Sequence, residues 1–374
     1  MSYLYNWHNE PRNQTVCLDK SFLSQLVLSC IDKVNANSQE KKIEILLTHK
    51  FAKSSLKKWL YGYSNGGIEI SNLKKLCDFL QVPYSSINNK FLAIGQIGKD
   101  SKIKTFVEPK FPIDLSHPEI GTLMGAQTSD ASLNRGGWHY YNNKEELRNK
   151  VKTSVQQVFG NIKSISLFDR LKRKSVLQFP AIVARAINFI GFPYGNKTIK
   201  NYSLPKILME GSLQMQKNYF SQRYSDDGSI RLIKDGRNRW FLFCYQAIDL
   251  NPSLSKREFE KLKSIVIKKS KLKTTPSKTH FKVYFKISKL KEFNIKEYKP
   301  NFLSDEQILL KNFGIKSYLM PTNIKYFYQT DKLSAYWVST VYDQKDILKF
   351  YKSIKFNDLE KNRKLEECVK MLNI

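Results

Sequence analysis

The chain has 374 residues, 41% hydrophobic and 13% aromatic, which is enough to bury a core in two or three domains and excludes a disordered tail. Lys and Arg number 63 against 33 Asp and Glu, and this formal net charge of +30 favours a polyanionic partner, because each neutralised phosphate releases condensed counterions. No apolar run reaches the roughly 18 residues that span a bilayer, and the first residues lack a signal-peptide core. We therefore expect no membrane partner and an intracellular location, in the cytoplasm or nucleoid.

Several kinds of chemistry lack the residues that they require. The five cysteines are odd in number and widely spaced, so we predict reduced, mostly buried thiols and neither a disulfide nor a zinc framework. The five histidines show no HExxH spacing, and the chain has no GxSxG elbow and no phosphate-binding Gly-Lys loop. We expect neither a small-molecule substrate nor an organic cofactor.

The first part of the chain, residues 1–97, is predicted to be a small all-α domain. Leu23, Val27 and Ile31 recur at the spacing of one helix face. A stretch at 98–112 combines glycine, lysine and proline and has little apolar periodicity, so it is the predicted linker.

Within this first domain, a short helix in THKFAKSSLKKWLYG (48–62) precedes a second helix in EISNLKKLCDFLQV (69–82). The short helix has hydroxyl and ammonium groups for a groove and its phosphates on one side, and apolar residues for docking on the other. The pattern resembles the helix-turn-helix of Xre-type repressors, and an ordinary basic surface helix is the alternative. The resemblance implies that DNA is contacted by Ser54, Ser55, Lys57 and Lys58.

Beyond the linker, two helical stretches each end on an aspartate. HPEIGTLMGAQTSDAS (117–132) closes on Asp130, and LQMQKNYFSQRYSDDGS (213–229) closes on Asp227. Each has apolar residues on one face with smaller residues between them. The two stretches predict a pair of equivalent helices.

Similar elements follow each of these helices, which divides the chain into halves at 113–203 and 204–374. Strand-like sequence, a charged amphipathic helix, further strands and a final helix are predicted in both halves. The first strands and charged helices are predicted at 138–143 and 144–159, and at 239–248 and 255–267. The second half is longer, and its additional residues are expected in the Lys-rich region around 262–300.

The sequences LMGAQTSDA (Leu123 to Ala131) and FSQRYSDDG (Phe220 to Gly228) resemble the paired motifs of the LAGLIDADG homing endonucleases of the monomeric, two-repeat kind. The resemblance covers approximately residues 112–365, with GFPYGNKT at 191–198 as the turn between repeats. It implies an α+β fold in which two tandem αββαββα repeats form a saddle of two antiparallel sheets, preceded by the helix-turn-helix domain. It also implies a monomer that binds and cuts double-stranded DNA.

The same resemblance implies that Asp130 and Asp227, the last acids of the two motifs, hold a Mg²⁺ or Mn²⁺ ion between the scissile phosphates. Small residues such as Gly125 let two helices approach closely, so that carboxylates at their ends supply hard oxygen ligands. The metal would activate water and stabilise the leaving oxygen. Asp226 is expected to be exposed and structural.

Auxiliary residues are assigned from the same resemblance. A lysine near the scissile phosphate is expected at Lys174, and a polar DNA contact at the end of the second strand is expected at Asn143 or Lys144. A solvated surface role is the alternative for each of the three.

Two departures from the motif keep other functions open. Gln222 stands where the second helix would carry its packing glycine, and Ala131 replaces the glycine after the first aspartate. The alternatives are a non-cleaving DNA-binding transcriptional regulator and an RNA-binding splicing factor of the maturase type.

Overall fold

The computed structural model describes residues 3–34, 59, 67–95, 108–170, 173–197, 201–233, 239–269, 282–286 and 294–372. The predicted DNA contacts Ser54, Ser55, Lys57 and Lys58 lie outside these residues. In the part of the chain that is described, no helix is long and apolar enough to cross a membrane.

The N-terminal part combines helices with a sheet, so the prediction of an all-α domain is wrong. Its elements are β1 (Leu4–Tyr5), β2 (Thr15–Leu18), α1 (Lys20–Lys33), β3 (Gly67–Glu69), α2 (Ile70–Leu80) and β4 (Phe91–Gly95). The two helices agree with the predicted apolar spacing, but three of the strands form an antiparallel sheet in the order β3-β2-β4. All four residues of β2 are buried, and a strand buried on both faces has no alternating pattern that could reveal it.

The middle of the chain contains one helix that is buried along its whole length. In chain order the elements are β5 (Glu108–Pro109), β6 (Ile113–Asp114), α3 (Ile120–Thr128), β7 (Ala131–Asn134), β8 (Gly137–Tyr141), α4 (Glu145–Phe159), β9 (Gly160–Asn161), β10 (Ile165–Asp169), β11 (Lys174–Phe179) and α5 (Ala181–Phe189). All nine residues of α3 are buried. Four strands form an antiparallel sheet in the order β10-β11-β8-β7.

The C-terminal part contains a second buried helix and a larger sheet. Its elements are α6 (Lys206–Met209), α7 (Leu213–Asp227), β12 (Gly228–Ile233), β13 (Arg239–Asp249), α8 (Lys256–Lys269), β14 (Lys282–Lys286), α9 (Asn301–Asn312), β15 (Tyr318–Phe327), β16 (Lys332–Val341), α10 (Gln344–Ser353) and α11 (Leu359–Met371). The strands form an antiparallel sheet in the order β12-β13-β16-β15-β14. The protein is thus a mixed α and β structure with several antiparallel sheets.

The middle and C-terminal sheets share one order of strands. In chain order, the strands of the middle sheet are β7, β8, β10 and β11, and those of the larger sheet without β14 are β12, β13, β15 and β16. Numbered in this way, both sheets have the order first, second, fourth, third, and β14 lies at the edge of the larger sheet next to β15. The predicted strands at 138–143 and 239–248 and the predicted helices at 144–159 and 255–267 are confirmed within a few residues. Strand β14 lies in the region where additional residues were predicted.

The N-terminal part contacts residues beyond the predicted linker. Strand β1 pairs with β6 through Leu4 and Asp114. The Glu10 carboxylate is buried and forms an ion pair with Arg185 on α5. Residues 1–97 therefore share contacts with the rest of the chain, and their predicted separation as a domain stays a prediction.

Helices α3 and α7 pack with their backbones in close approach. A Cβ atom added to Gly121 would lie 2.0 Å from the Met215 carbonyl oxygen, and one added to Gly125 would lie 2.5 Å from the Tyr219 carbonyl oxygen. Glycines on α3 alone provide this approach, so Gln222 on α7 does not prevent it.

We expect Gly121→Ala to destabilise the protein by about 2 kcal/mol, because overpacking a close backbone contact outweighs the better helix propensity of alanine. Urea unfolding measures the change. The matched control is Gly136→Ala in the β7–β8 turn, where an added Cβ meets only the Asn134 side chain at 3.4 Å and the stability should change by less than about 0.5 kcal/mol. Equal stability of the two variants would contradict the tight packing of α3 on α7.

Candidate metal centre

The C-terminal ends of α3 and α7 meet through a hydrogen-bonded group of polar side chains. Ser129, directly after α3, donates its hydroxyl to Asp226 Oδ2 at 2.6 Å. The Asn142 side-chain amide lies 3.4 Å from Asp130 Oδ2 and 3.2 Å from Asp226 Oδ1. The two helices therefore bring the carboxylates of Asp130 and Asp226 together, whereas the sequence motifs predict Asp227 as the partner of Asp130.

Asp226 is partly buried and both of its carboxylate oxygens accept hydrogen bonds, so the expectation that it is exposed is wrong. Besides Ser129 and Asn142, it accepts a hydrogen bond from the Tyr140 hydroxyl at 2.7 Å and two from the Gln222 amide at 3.1 Å. Burial, followed by the negative charge of Asp130, raises the pKa of Asp226 to about 7, although these hydrogen bonds act to lower it. Both oxygens of Asp226 are occupied, so this side chain holds the two helices together.

Asp130 is more open and faces a cation. Lys174 on β11 places its Nζ 2.9 Å from Asp130 Oδ1, with 21% of the Asp130 side chain exposed. The structure therefore puts Lys174 beside the carboxylate that the sequence motif singles out.

Asp130 and Lys174 line a cleft of about 440 Å³. The cleft is enclosed by Ser129, Asp130, Ala131, Ser132, Tyr141, Lys174, Gly195, Asn196 and Lys197. Its walls carry hydroxyl, amide and ammonium groups, which are the groups that bind phosphate and sugar oxygens.

Asp227 pairs with a buried arginine on its own helix. The Arg223 guanidinium binds Asp227 Oδ2, and its Nε lies 3.0 Å from Oε1 of the buried Glu306. Arg223 is fully buried, whereas 32% of the Asp227 side chain is exposed. Arg223 therefore holds the Asp227 side chain from the buried side, and part of the Asp227 carboxylate faces solvent.

A lysine closes the end of each of the two helices. Lys197 Nζ donates to the carbonyl oxygens of Gln127 and Ala131 at 3.1 and 3.2 Å, next to the end of α3. Lys361 Nζ donates to the carbonyl oxygen of Ser225 near the end of α7. Cations at a helix C-terminus are stabilised by its unpaired carbonyl groups and dipole.

Lys197 is close enough to Asp130, Asp226 and Asp227 for their negative charges to affect its pKa. Burial lowers its pKa to about 8, while Asp227, Asp130 and Asp226 act to raise it. Burial also lowers the pKa of Lys361, against the influence of Asp226 and Asp227. The ammonium group of Lys197 thus provides positive charge among the three carboxylates.

The structure places Asn143 and Lys144 away from Asp130. Asn143 accepts a hydrogen bond from the Ser175 backbone at 2.9 Å and donates to the Arg173 carbonyl oxygen, so it joins the ends of two strands. Lys144 forms an ion pair with Asp358 at 2.8 Å and reaches Glu360 at 3.2 Å. At this end of β8, the Asn142 side chain lies near the Asp130 carboxylate, and the Tyr141 backbone N–H donates to the Asp130 carbonyl oxygen at 3.3 Å.

Comparisons with known proteins give distant similarities. No protein-family model matches the sequence. The chain is 26% identical over 289 residues to the tRNA-splicing ligase RtcB of Pyrococcus furiosus, and the matched part is 68% of this chain and 29% of that protein. The chain thus spans less than a third of this curated relative.

Among solved structures, the chain is similar to full-length DUF199/WhiA from Thermatoga maritima, with a TM-score of 0.35 and 11% identity over 69% of this chain and 60% of that one. It is also similar to the homing endonuclease I-DmoI solved with DNA and Mn, with a TM-score of 0.31 and 10% identity over 64% of this chain and 97% of that one. TM-scores and sequence identities this low do not establish a function for this chain.

Sequence reasoning missed Lys197 and Lys361, although a signal for them existed. If Phe192 and Phe356 are aligned as equivalent ends of the two halves, each lysine follows five residues later (197 − 192 and 361 − 356). The turn that was predicted to join the halves, at 191–198, therefore carries a residue of the centre.

Asp130 and Asp227 offer carboxylate oxygens, which are the donors that hard divalent cations take. Within the described residues, no group of three or more His, Cys, Asp or Glu side chains is arranged to hold a metal ion. Mg²⁺ commonly uses only one or two protein carboxylates together with waters and substrate phosphates. Asp130 and Asp227 each have one oxygen held by a cation, and hydrogen bonds of this kind orient metal-binding carboxylates.

Proposed function

We propose that the chain is an endonuclease of double-stranded DNA that requires Mg²⁺ or Mn²⁺. In this proposal it consists of two tandem LAGLIDADG-type repeats, at 113–203 and 204–374, whose antiparallel sheets form a saddle over the duplex. Asp130 and Asp227 hold the metal, which would activate water and stabilise the leaving oxygen.

The observation that carries the proposal is the meeting of two closely packed helix ends that both deliver carboxylates. Gly121 and Gly125 bring the α7 backbone against α3, and Asn142 joins Asp130 to Asp226, the residue that precedes the partly exposed Asp227 on α7. The shared order of strands after each helix supports the two-repeat interpretation. Two aspartates that merely end separate helices would not need the backbones of those helices to pack this closely.

The remaining polar residues of the centre have separate roles. Asp226 positions the helix ends, because hydrogen bonds occupy both of its oxygens. Lys174 and Lys197 line the cleft and offer ammonium groups to the scissile phosphate, where developing negative charge is stabilised. Arg223 holds Asp227 in one orientation.

The open face of the sheet β10-β11-β8-β7 fits the edges of base pairs. Strand register places Ser132 opposite His139, and His139 opposite Gln178. Hydroxyl, imidazole and amide groups donate and accept hydrogen bonds, which is what base-edge recognition in the major groove requires. We propose that this face reads duplex sequence, and that residues 1–97, with Ser54, Ser55, Lys57 and Lys58, add a second DNA contact.

The test is incubation of the purified protein with a randomised duplex DNA library in Mg²⁺ and, separately, in EDTA. We expect cleavage at a restricted set of sequences in Mg²⁺ and none in EDTA, and sequencing of the new ends measures both. Binding of selected duplexes without cleavage in Mg²⁺ or Mn²⁺ would contradict the nuclease proposal.

A non-cleaving DNA-binding regulator is the second candidate, and a specific observation favours it. Arg223 and Lys174 already neutralise Asp227 and Asp130, so the centre is internally satisfied by protein cations. The library experiment separates the two functions, because a regulator would select sequences and leave both strands intact. RNA as substrate is a further alternative, and an RNA library incubated under the same conditions tests it.

A further inference from the structure

The C-terminal sheet has one face that is covered by helices and one that is rich in aromatic rings. Gln246 of β13 accepts a hydrogen bond from Arg223 on α7 at 3.2 Å, so α7 lies on the face to which Gln246 points. Leu242 and Cys244 share that face and are fully buried. The alternate residues of β13, Phe241, Phe243 and Tyr245, point to the opposite face and are half-buried.

A continuous row of rings crosses this opposite face, here called the aromatic face. The ring centroids of Phe241 and Phe243 lie 5.6 Å apart with nearly parallel planes, and Phe243 and Tyr245 follow at 5.9 Å. Phe241 lies 6.2 Å from Tyr342, which stacks on Tyr318 at 4.6 Å. The row therefore extends from β13 across the end of β16 to β15.

Cations accompany these rings. Arg239 lies over Phe241 at 5.8 Å, Lys316 over Tyr318 at 5.1 Å and Lys325 over Tyr336 at 3.9 Å from the ring centroid. Strand register places the carboxylate of Asp249 on this face, paired with Lys332 at 3.0 Å. Asp343, directly after Tyr342, adds a second negative charge near the Tyr318 and Tyr342 rings. The face thus combines aromatic rings with net positive charge.

We propose that the aromatic face binds unpaired nucleotides of a polynucleotide strand, with bases stacked on the rings and phosphates near the lysine and arginine side chains. The proposal rests on the proposed function in that the partner is nucleic acid, and it assigns an opened, single-stranded segment to the C-terminal side of the saddle in place of paired duplex. In a duplex, the faces of the bases are stacked inside the helix, and only edges and backbone are accessible. The accessible parts of these rings gain stacking energy only from unpaired bases, whatever their sequence.

The two open sheet faces therefore suit different parts of one substrate. Ser132, His139 and Gln178 of the first sheet offer hydrogen bonds to base-pair edges. The row from Tyr318 to Tyr245 offers stacking surfaces of the kind that single-strand-binding proteins use. A duplex with a single-stranded tail or a locally opened strand presents both.

The experiment measures the affinity of the full chain for a fluorescent 20-nucleotide oligo-dT and for a blunt duplex of the same length. We expect Phe243→Ala and Phe243→Leu to weaken oligo-dT binding roughly fivefold to a hundredfold and duplex binding less than twofold, with Phe243→Trp near the parent protein. Leucine keeps the apolar volume but has no ring, so weaker oligo-dT binding by Phe243→Leu would show that the ring acts by stacking and not only by apolar burial. The slope of log affinity against log salt should be the same in all three variants, because no phosphate contact is removed.

Tyr342→Ala repeats the test at the most exposed ring of the row, in case the variants of Phe243 fold poorly. The control is Tyr351→Ala on α10, where Lys355 lies 4.9 Å from the ring centroid but the ring is outside the aromatic face, and parental affinity is expected. Parental oligo-dT binding by both Phe243→Ala and Tyr342→Ala, or equal weakening for duplex and oligo-dT, would overturn the proposal. Duplex cleavage in Mg²⁺, measured in the same preparations, reports on the nuclease centre separately.

Discussion

Asp130→Asn is expected to lower Mg²⁺-dependent strand cleavage roughly 10³-fold while duplex affinity changes little, because several kcal/mol of metal-based stabilisation of the transition state are lost. Asp130 lines the cleft and has one oxygen paired with Lys174, and asparagine keeps its shape without its charge. Neutralising an acid beside DNA does not weaken the attraction for phosphate. Single-turnover cleavage of a duplex that the parent protein cuts, together with binding in EDTA, measures the two effects.

The neighbouring aspartates provide internal controls for this prediction. Asp227→Asn should lose cleavage to a similar extent. Asp226→Asn should leave the half-saturating Mg²⁺ concentration unchanged, since four side chains donate hydrogen bonds to Asp226 and only two to Asp130. Asp331→Asn, at an exposed turn far along the chain, should cleave like the parent. Full cleavage by Asp130→Asn would place the catalytic metal elsewhere, and a raised Mg²⁺ requirement in Asp226→Asn alone would exchange the roles of Asp226 and Asp227.

Local sequence pattern was sufficient to predict much of the C-terminal two thirds of the fold. Helix α4 has apolar residues at helical spacing, and strand β13 is a run of aromatic and apolar residues, so the type and position of both elements follow from local sequence. Strand β2 was missed because Thr15 to Leu18 are all buried, and a short buried run reads equally well as part of a helix.

The candidate site was predictable only in part, since its details depend on tertiary contacts. Lys174 contacts Asp130, while the implied position of this lysine at a scissile phosphate stays a prediction. Asp226 is the one that reaches Ser129 and Asn142, and which of two consecutive aspartates does so depends on the rotation of α7 about its axis, a tertiary feature. Lys197 reaches the centre from a turn whose path no local pattern specifies.

The buried ion pair beneath the centre leads to the largest expected change in stability. We expect Arg223→Met to destabilise the protein by about 3–5 kcal/mol, because it leaves the buried carboxylate of Glu306 without its cationic partner. The Tyr219 hydroxyl would still donate to Glu306 at 2.6 Å, but one neutral hydrogen bond does not replace a guanidinium. Urea unfolding at neutral pH measures the loss.

Two further variants show whether this loss comes from an uncompensated buried charge. Arg223→Met combined with Glu306→Leu should recover a large part of the stability, because replacing both partners of a buried pair by apolar residues of similar volume is often neutral. Lys263→Met breaks the more exposed pair with Asp331, for which less than about 1 kcal/mol is expected. The folded Arg223→Met/Glu306→Leu protein should still cleave poorly, since Asp227 has lost the guanidinium that orients it. Parental cleavage by that double variant would mean that Arg223 stabilises the fold without positioning the metal-binding carboxylate.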